Sequence, residues 1–165
     1  MKLILGRFIN LIINMTIEQI CEKYEIENYT INDDGTIDVN GIVNLDNIKL
    51  TELPLTFNKV SGDFFCRFNQ LTTLKGSPRW VGGSFYCNYN QLTSLEFSPD
   101  YVGGNFYCNG NDLTNNYCIA EIMGNFFTTL DQDGLVLNEY GKSTNYNEWR
   151  KLYKRKLILN DIFDM

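Results

Sequence analysis

The chain has 165 residues, 44% of them apolar and 14% aromatic, with a net charge of −6. These values exclude intrinsic disorder and suit one compact domain, and no run of 18 uninterrupted apolar residues exists to span a membrane as a helix. Histidine is absent, which removes every Ser-His-Asp or Cys-His nucleophile, every His-ligated metal centre and every imidazole proton shuttle.

In chain order, the first 14 residues put Leu3, Ile4, Phe8, Leu11 and Ile12 on one side, with Lys2 and Arg7 among them. Arg7 interrupts the apolar stretch and no small-residue cleavage site follows, so the cytoplasm is the expected compartment. Packing on the end of the fold, or an extension ahead of Met15, is preferred over membrane contact. Thr16-x-x-Gln19 is a capping box that predicts a helix carrying Ile17, Ile20, Cys21 and Tyr24 on one face. Alternating runs at Tyr29–Ile31 and Thr36–Val39 flank Asp33-Asp34-Gly35, a hairpin signal. Residues 1–40 are expected to form an N-terminal helix and hairpin cap.

A repeat then organises residues 41–114. The segment Gly62–Gly82 is followed by a 21-residue copy, 83–103, identical at twelve positions. A third copy from Gly104 matches eight of its first eleven residues, and a degenerate unit begins at Gly41. Such a period is the mark of a stacked array in which no unit buries its own apolar face. Alternation within each unit predicts one short strand. Val43, Phe64, Phe85 and Phe106 form one inward column, and Leu45, Cys66, Cys87 and Cys108 the next. Leu50, Leu71, Leu92 and Leu113 make a third, and Leu53, Leu74 and Leu95 a fourth. Pro78 and Pro99, each leading to Val-Gly-Gly, are expected to turn the chain back.

The segment Ser84-Phe-Tyr-Cys-Asn-Tyr-Asn-Gln-Leu92 resembles the strand portion of a leucine-rich repeat, with Phe85, Cys87, Asn90 and Leu92 in the consensus places. The Asn90-Gln-Leu-Thr-Ser-Leu continuation resembles the short repeats of bacterial effectors. With Val-Gly-Gly and the Gly35–Val39 lead-in, the pattern is also similar to small uncharacterised repeat proteins of phages. Gly82 and Gly103 depart from the first Leu position and imply close packing or a bend. In this repeat type the Asn side chain bonds backbone where the strand turns, which assigns Asn69, Asn90 and Asn111 to a structural ladder. The fold class expected is α+β, a short leucine-rich-repeat-like solenoid with stacked parallel strands and helical N- and C-terminal caps.

Strand positions that face outward carry Asn44, Phe65, Tyr86 and Tyr107, with Phe68 and Tyr89 in a neighbouring column that ends at Gly110. Between them run Asp46, Arg67, Asn88 and Asn109. Rigid exposed rings make good interface anchors, because they bury large areas at small entropic cost. The competing reading is that the rings only stack on one another or lie under a flanking helix. Cys66, Cys87 and Cys108 are read as small core residues and not as a soft-metal ladder. With Cys21 and Cys118 they make five, an odd number without CxxC, which argues against disulfides and zinc.

After Thr114, residues 115–165 are expected to form the opposite cap, with Cys118, Ile119, Ile122 and Met123 in a short helix or turn. Asp131-Gln-Asp133-Gly134 lacks the downstream acidic ligand of a calcium loop. Asn145-x-x-Glu148 opens a basic amphipathic helix with Trp149, Leu152, Tyr153 and Leu157 on one face and Arg150, Lys151, Lys154, Arg155 and Lys156 beside them. With Lys142 these give residues 142–165 a charge of +3 against −9 for the rest. That cluster supports nucleic-acid or acidic-partner binding as the alternative function. An effector-type Cys enzyme is disfavoured, since only 51 residues follow Thr114. The leading expectation is a non-enzymatic protein-binding module without cofactor, metal or small-molecule substrate. Phe65, Phe68, Tyr86, Tyr89 and Tyr107 would make the contact, and Arg67, Asn88 and Asn109 would set polar specificity. The phage resemblance implies a host protein as the partner.

Overall fold

The computed structural model describes residues 15–114, 120–128 and 142–143. Helix α1 (Ile17–Lys23) starts where the capping box predicts: Thr16 Oγ1 accepts from Gln19 N–H at 3.3 Å, and Gln19 Oε1 accepts from Thr16 N–H at 2.9 Å. It buries Cys21 and lays Ile17, Ile20 and Tyr24 against the core. Strands β1 (Tyr29–Ile31) and β2 (Ile37–Val39) pair antiparallel. The turn between them places Gly35 at φ +78°, and Thr36 donates to the Asp34 carboxylate from its hydroxyl (2.6 Å) and its N–H (3.0 Å). Those bonds hold the Asp34 carboxyl below its ordinary range.

From Gly41 the chain winds into a β-solenoid whose coils supply two short strands each. One sheet continues from β2 through β4 (Phe57–Val60), β6 (Trp80–Val81), β8 (Tyr101–Val102) and β10 (Glu121–Ile122), all parallel, with β1 on its N-terminal edge. The other runs β3 (Val43–Asn44), β5 (Phe64–Phe65), β7 (Phe85–Tyr86), β9 (Phe106–Tyr107) and β11 (Phe126–Phe127). Antiparallel β12 (Lys142–Ser143) closes its C-terminal edge. Backbone bonds step from coil to coil, as from Phe64 N–H to Ser84 O (3.0 Å) and Cys66 N–H to Tyr86 O (2.8 Å).

Three expectations are corrected here. Helix among the described residues is limited to the seven residues of α1 at the N-terminal end. The described body is therefore a β-solenoid with little helix where an α+β fold was expected, and the C-terminal helical cap falls outside the described residues. The Pro-x-x-Val segments do not merely turn: Trp80–Val81 and Tyr101–Val102 are strands whose hydrogen-bond partners lie a whole coil away. Ile122 is not in a helix or turn but in β10, so Ala120–Thr128 forms a further coil where a cap was expected. Residues 1–14, Cys118, Ile119, the Asp131–Gly134 segment and the basic segment 145–157 lie outside the described residues.

The core is the set of inward columns. Phe64, Phe85, Phe106 and Phe126 are buried in line, with ring centroids 5.5, 5.1 and 5.4 Å apart, and Phe57 meets Phe64 edge-on at 5.1 Å. Cys66, Cys87 and Cys108 are fully buried beside them, and their thiols donate to the carbonyls of Tyr86, Tyr107 and Phe127 at 3.3–3.4 Å. Leu71, Leu74, Leu92, Leu95 and Leu113 are buried beyond them, and the first sheet adds Val60, Val81, Val102 and Ile122. The coils meet backbone to backbone at the glycine corner. A Cβ on Gly62 would lie 2.7 Å from the Gly41 carbonyl oxygen, and one on Gly124 would lie 2.6 Å from that of Gly104. Gly82 likewise sits against the Ser61 carbonyl and Gly103 against the Gly82 carbonyl, which explains the missing Leu at both positions.

Burial pushes the Cys66 thiol well above its ordinary value of 9.0, with Asp46 adding to the effect. Above that pH the unfolded chain releases this proton while the folded chain keeps it, so stability falls as pH rises. The loss reaches about 1.4 kcal/mol per pH unit for one thiol. Denaturation midpoints between pH 7 and 10.5 should therefore drop above about pH 9, and Cys66→Ala should flatten part of that drop. A midpoint of the native chain independent of pH in this window would contradict the burial.

Candidate interaction surface

The second sheet turns a ladder of flat rings outward. Phe65, Tyr86, Tyr107 and Phe127 stack at 4.6, 4.6 and 4.4 Å, with planes within 13° of parallel. The spacing follows from the parallel register, which sets Phe65, Tyr86, Tyr107 and Phe127 opposite one another. Phe127 is a rung that the sequence reading missed. Its signal is Gly124-Asn125-Phe126-Phe127, a copy of Gly104-Asn105-Phe106-Tyr107 offset by 20 residues instead of 21.

A second column starts where the strand ends. Phe68 and Tyr89 stack at 4.8 Å with planes 7° apart, and they are 51% and 47% exposed. Their backbone is left-handed, φ 55° and 57°, as it is at Asn47 (φ 54°) and Gly110 (φ 67°) in the same place of the neighbouring coils. The Tyr89 ring lies over Gly110, where any side chain would collide with it.

Between the columns lie Asp46, Arg67, Asn88 and Asn109. Arg67 donates from Nε (2.8 Å) and Nη2 (2.6 Å) to Asp46 Oδ2, and its backbone N–H donates to Oδ1 (2.6 Å). The hydrogen bonds to Asp46 raise the Arg67 guanidinium further above its ordinary value. Its guanidinium carbon also sits 5.0 and 5.2 Å from the Phe65 and Tyr86 ring centres. The pair is electrically matched. Asn88 is 8% exposed, and its Oδ1 is buried without a hydrogen-bond partner among the described residues. A groove of about 370 Å³ runs here, walled by Tyr86 and Tyr107 on one side and Tyr89 on the other, with Arg67, Asn88, Asn109, Phe127 and Thr128 completing it. Of the predicted contact residues, Arg67, Tyr86, Asn88, Tyr89, Tyr107 and Asn109 line this groove, while Phe65 and Phe68 continue the two columns beyond it.

The Asn ladder lies at the inner rim of this surface. Asn69 Oδ1 accepts from Ile48 and Leu50 N–H at 3.1 and 3.0 Å, and its Nδ2 donates to Leu45, Cys66 and Arg67 carbonyls. Asn90 Oδ1 accepts from Leu71 N–H at 3.1 Å, and its Nδ2 donates to Cys66 O (2.9 Å) and Cys87 O (3.0 Å). Asn111 repeats the set one coil on, with Leu92, Cys87 and Cys108. Each amide thus ties its own coil to the one before.

The first sheet has an outward face that the turn reading concealed. Lys59 Nζ stands 4.7 Å above the Trp80 ring, and Trp80 stacks on Tyr101 at 5.6 Å. Among the described residues no cluster of His, Cys, Asp or Glu could hold a metal ion, and no helix is long and apolar enough to cross a membrane. The basic residues Arg150, Lys151, Lys154, Arg155 and Lys156 fall outside the described residues. The chain matches no family model, no curated protein and no solved structure.

Proposed function

We propose that this chain is a non-enzymatic protein-binding module that presents the two ring columns of its second sheet to a protein partner. The observation that carries the reading is the backbone conformation at Phe68 and Tyr89. Asn47 and Gly110 occupy the same left-handed place, which Gly takes freely and Asn takes readily. Bulky residues there cost about 1–2 kcal/mol each. One exposed stack between them returns only about 0.5–1.5 kcal/mol. Folding alone gains little from these rings. A partner that covers them gains two rigid aromatic anchors beside a polar strip of Arg67, Asn88 and Asn109. The resemblance to leucine-rich repeats supports the same reading, and its phage branch suggests a cytoplasmic host protein as the target.

The double variant Phe68→Asn/Tyr89→Asn separates the two roles of the surface. Its thermal midpoint is expected to stay within a few degrees of the parent or to rise. Partner capture from host lysate is expected to fall at least tenfold, as is capture by Tyr86→Ala. Capture at the parental level by both variants would overturn the surface assignment.

A further inference from the structure

Resting on the protein-binding reading, we infer that the groove between the ring columns receives an indole, the side chain of a tryptophan from the partner, with its N–H directed to Asn88 Oδ1. The rings of the long column lie face to face within 13° of parallel, so they offer their edges to the groove and not their faces. Ring edges carry the positive part of the aromatic quadrupole and are complemented by the π-face of another ring laid flat across them. Rungs 4.6 Å apart let one bicyclic face touch Tyr86 and Tyr107 together. The groove's volume, about 370 Å³, admits a bicyclic side chain with the backbone that carries it.

The polar floor narrows the choice. Arg67 is already matched by Asp46, so the groove presents no free charge for an anionic group. Asn88 supplies an acceptor that is more than nine-tenths buried and has no hydrogen-bond partner among the described residues. Buried acceptors are almost always paired, so this one calls for a donor from beyond the described residues. Among protein side chains the indole combines the largest flat π-face with a donor and no acceptor that would itself need pairing. Because Oδ1 is closed from solvent, the carboxamide turns into the groove as the ring seats.

The test is a ¹⁵N–¹H titration of the full chain with N-acetyl-tryptophanamide, N-acetyl-1-methyltryptophanamide and N-acetyl-phenylalaninamide. The first is expected to bind saturably with a Kd of roughly 1 mM, with the Asn88 side-chain NH₂ pair among the largest shifts. The methylated analogue, which lacks the donor, should bind about tenfold more weakly. Asn88→Leu should erase the difference between the two. Should that variant fail to fold, the comparison of analogues on the native chain still decides. Equal affinity for all three, or shifts scattered away from Tyr86, Asn88 and Tyr107, would overturn the indole assignment. If that happens while partner capture still depends on Phe68 and Tyr89, the protein-binding reading stands without this anchor. If indole binds but capture ignores both columns, the assignment of the partner to this surface falls, and with it a partner tryptophan as the ligand.

Discussion

Replacing Asn90 by leucine should destabilise the fold by about 2–4 kcal/mol, although the two side chains are close in size. The change orphans the buried Leu71 N–H, whose acceptor is Asn90 Oδ1. An unsatisfied buried donor costs about 1–3 kcal/mol. It also removes one of two amide donors from each of Cys66 O and Cys87 O, which keep Asn69 and Asn111 respectively. Each lost bond adds about 0.5–1.5 kcal/mol, partly offset by the apolar leucine side chain. Asn111 is half-buried, so Asn111→Leu should cost less than Asn90→Leu. Urea denaturation followed by circular dichroism measures both. A loss at Asn90 no larger than that of an exposed substitution such as Gln91→Ala would mean the ladder contributes nothing.

The second large effect is expected at the centre of the core. Phe85 is 0% exposed and lies between Phe64 at 5.5 Å and Phe106 at 5.1 Å. Phe85→Ala removes both contacts and leaves a cavity walled by rings that belong to rigid strands. Such truncations cost about 3–5 kcal/mol, a large share of the 5–15 kcal/mol that holds a typical domain. Because each coil touches only its neighbours, the damage should also lower cooperativity. The denaturant slope should therefore fall together with the midpoint. An unchanged slope with a midpoint shift worth under about 1 kcal/mol would show that the coils do not depend on this column.

The inward columns and the Asn ladder were legible because near-identical units place equivalent residues in register. Phe64, Phe85 and Phe106 need only that register to meet. The second strand was hidden because Trp80–Val81 and Tyr101–Val102 are too short to show alternation, and Pro-x-x-Val-Gly-Gly reads locally as a turn. Their pairing is wholly non-local. The coil carrying Phe126 and Phe127 escaped because its spacing from Gly104 is 20 residues, one short of the period. At the surface, alternation put Asn88 outward but could not foresee its burial between the ring columns. Nor could propensity foresee left-handed backbone at Phe68 and Tyr89, since bulky residues avoid it.

The glycine corner makes the length of the molecule a discrete quantity. With each coil pressed on the backbone of the one before, a one-residue slip would push side chains into a carbonyl and invert every strand face. Excision of the whole unit 83–103 instead brings Gly104 onto Gly62 with the same chemistry on both sides. The ring ladder would lose one rung and the core one Phe. The array thus behaves as a ruler graduated in coils, and the span of its binding face can change only by whole graduations.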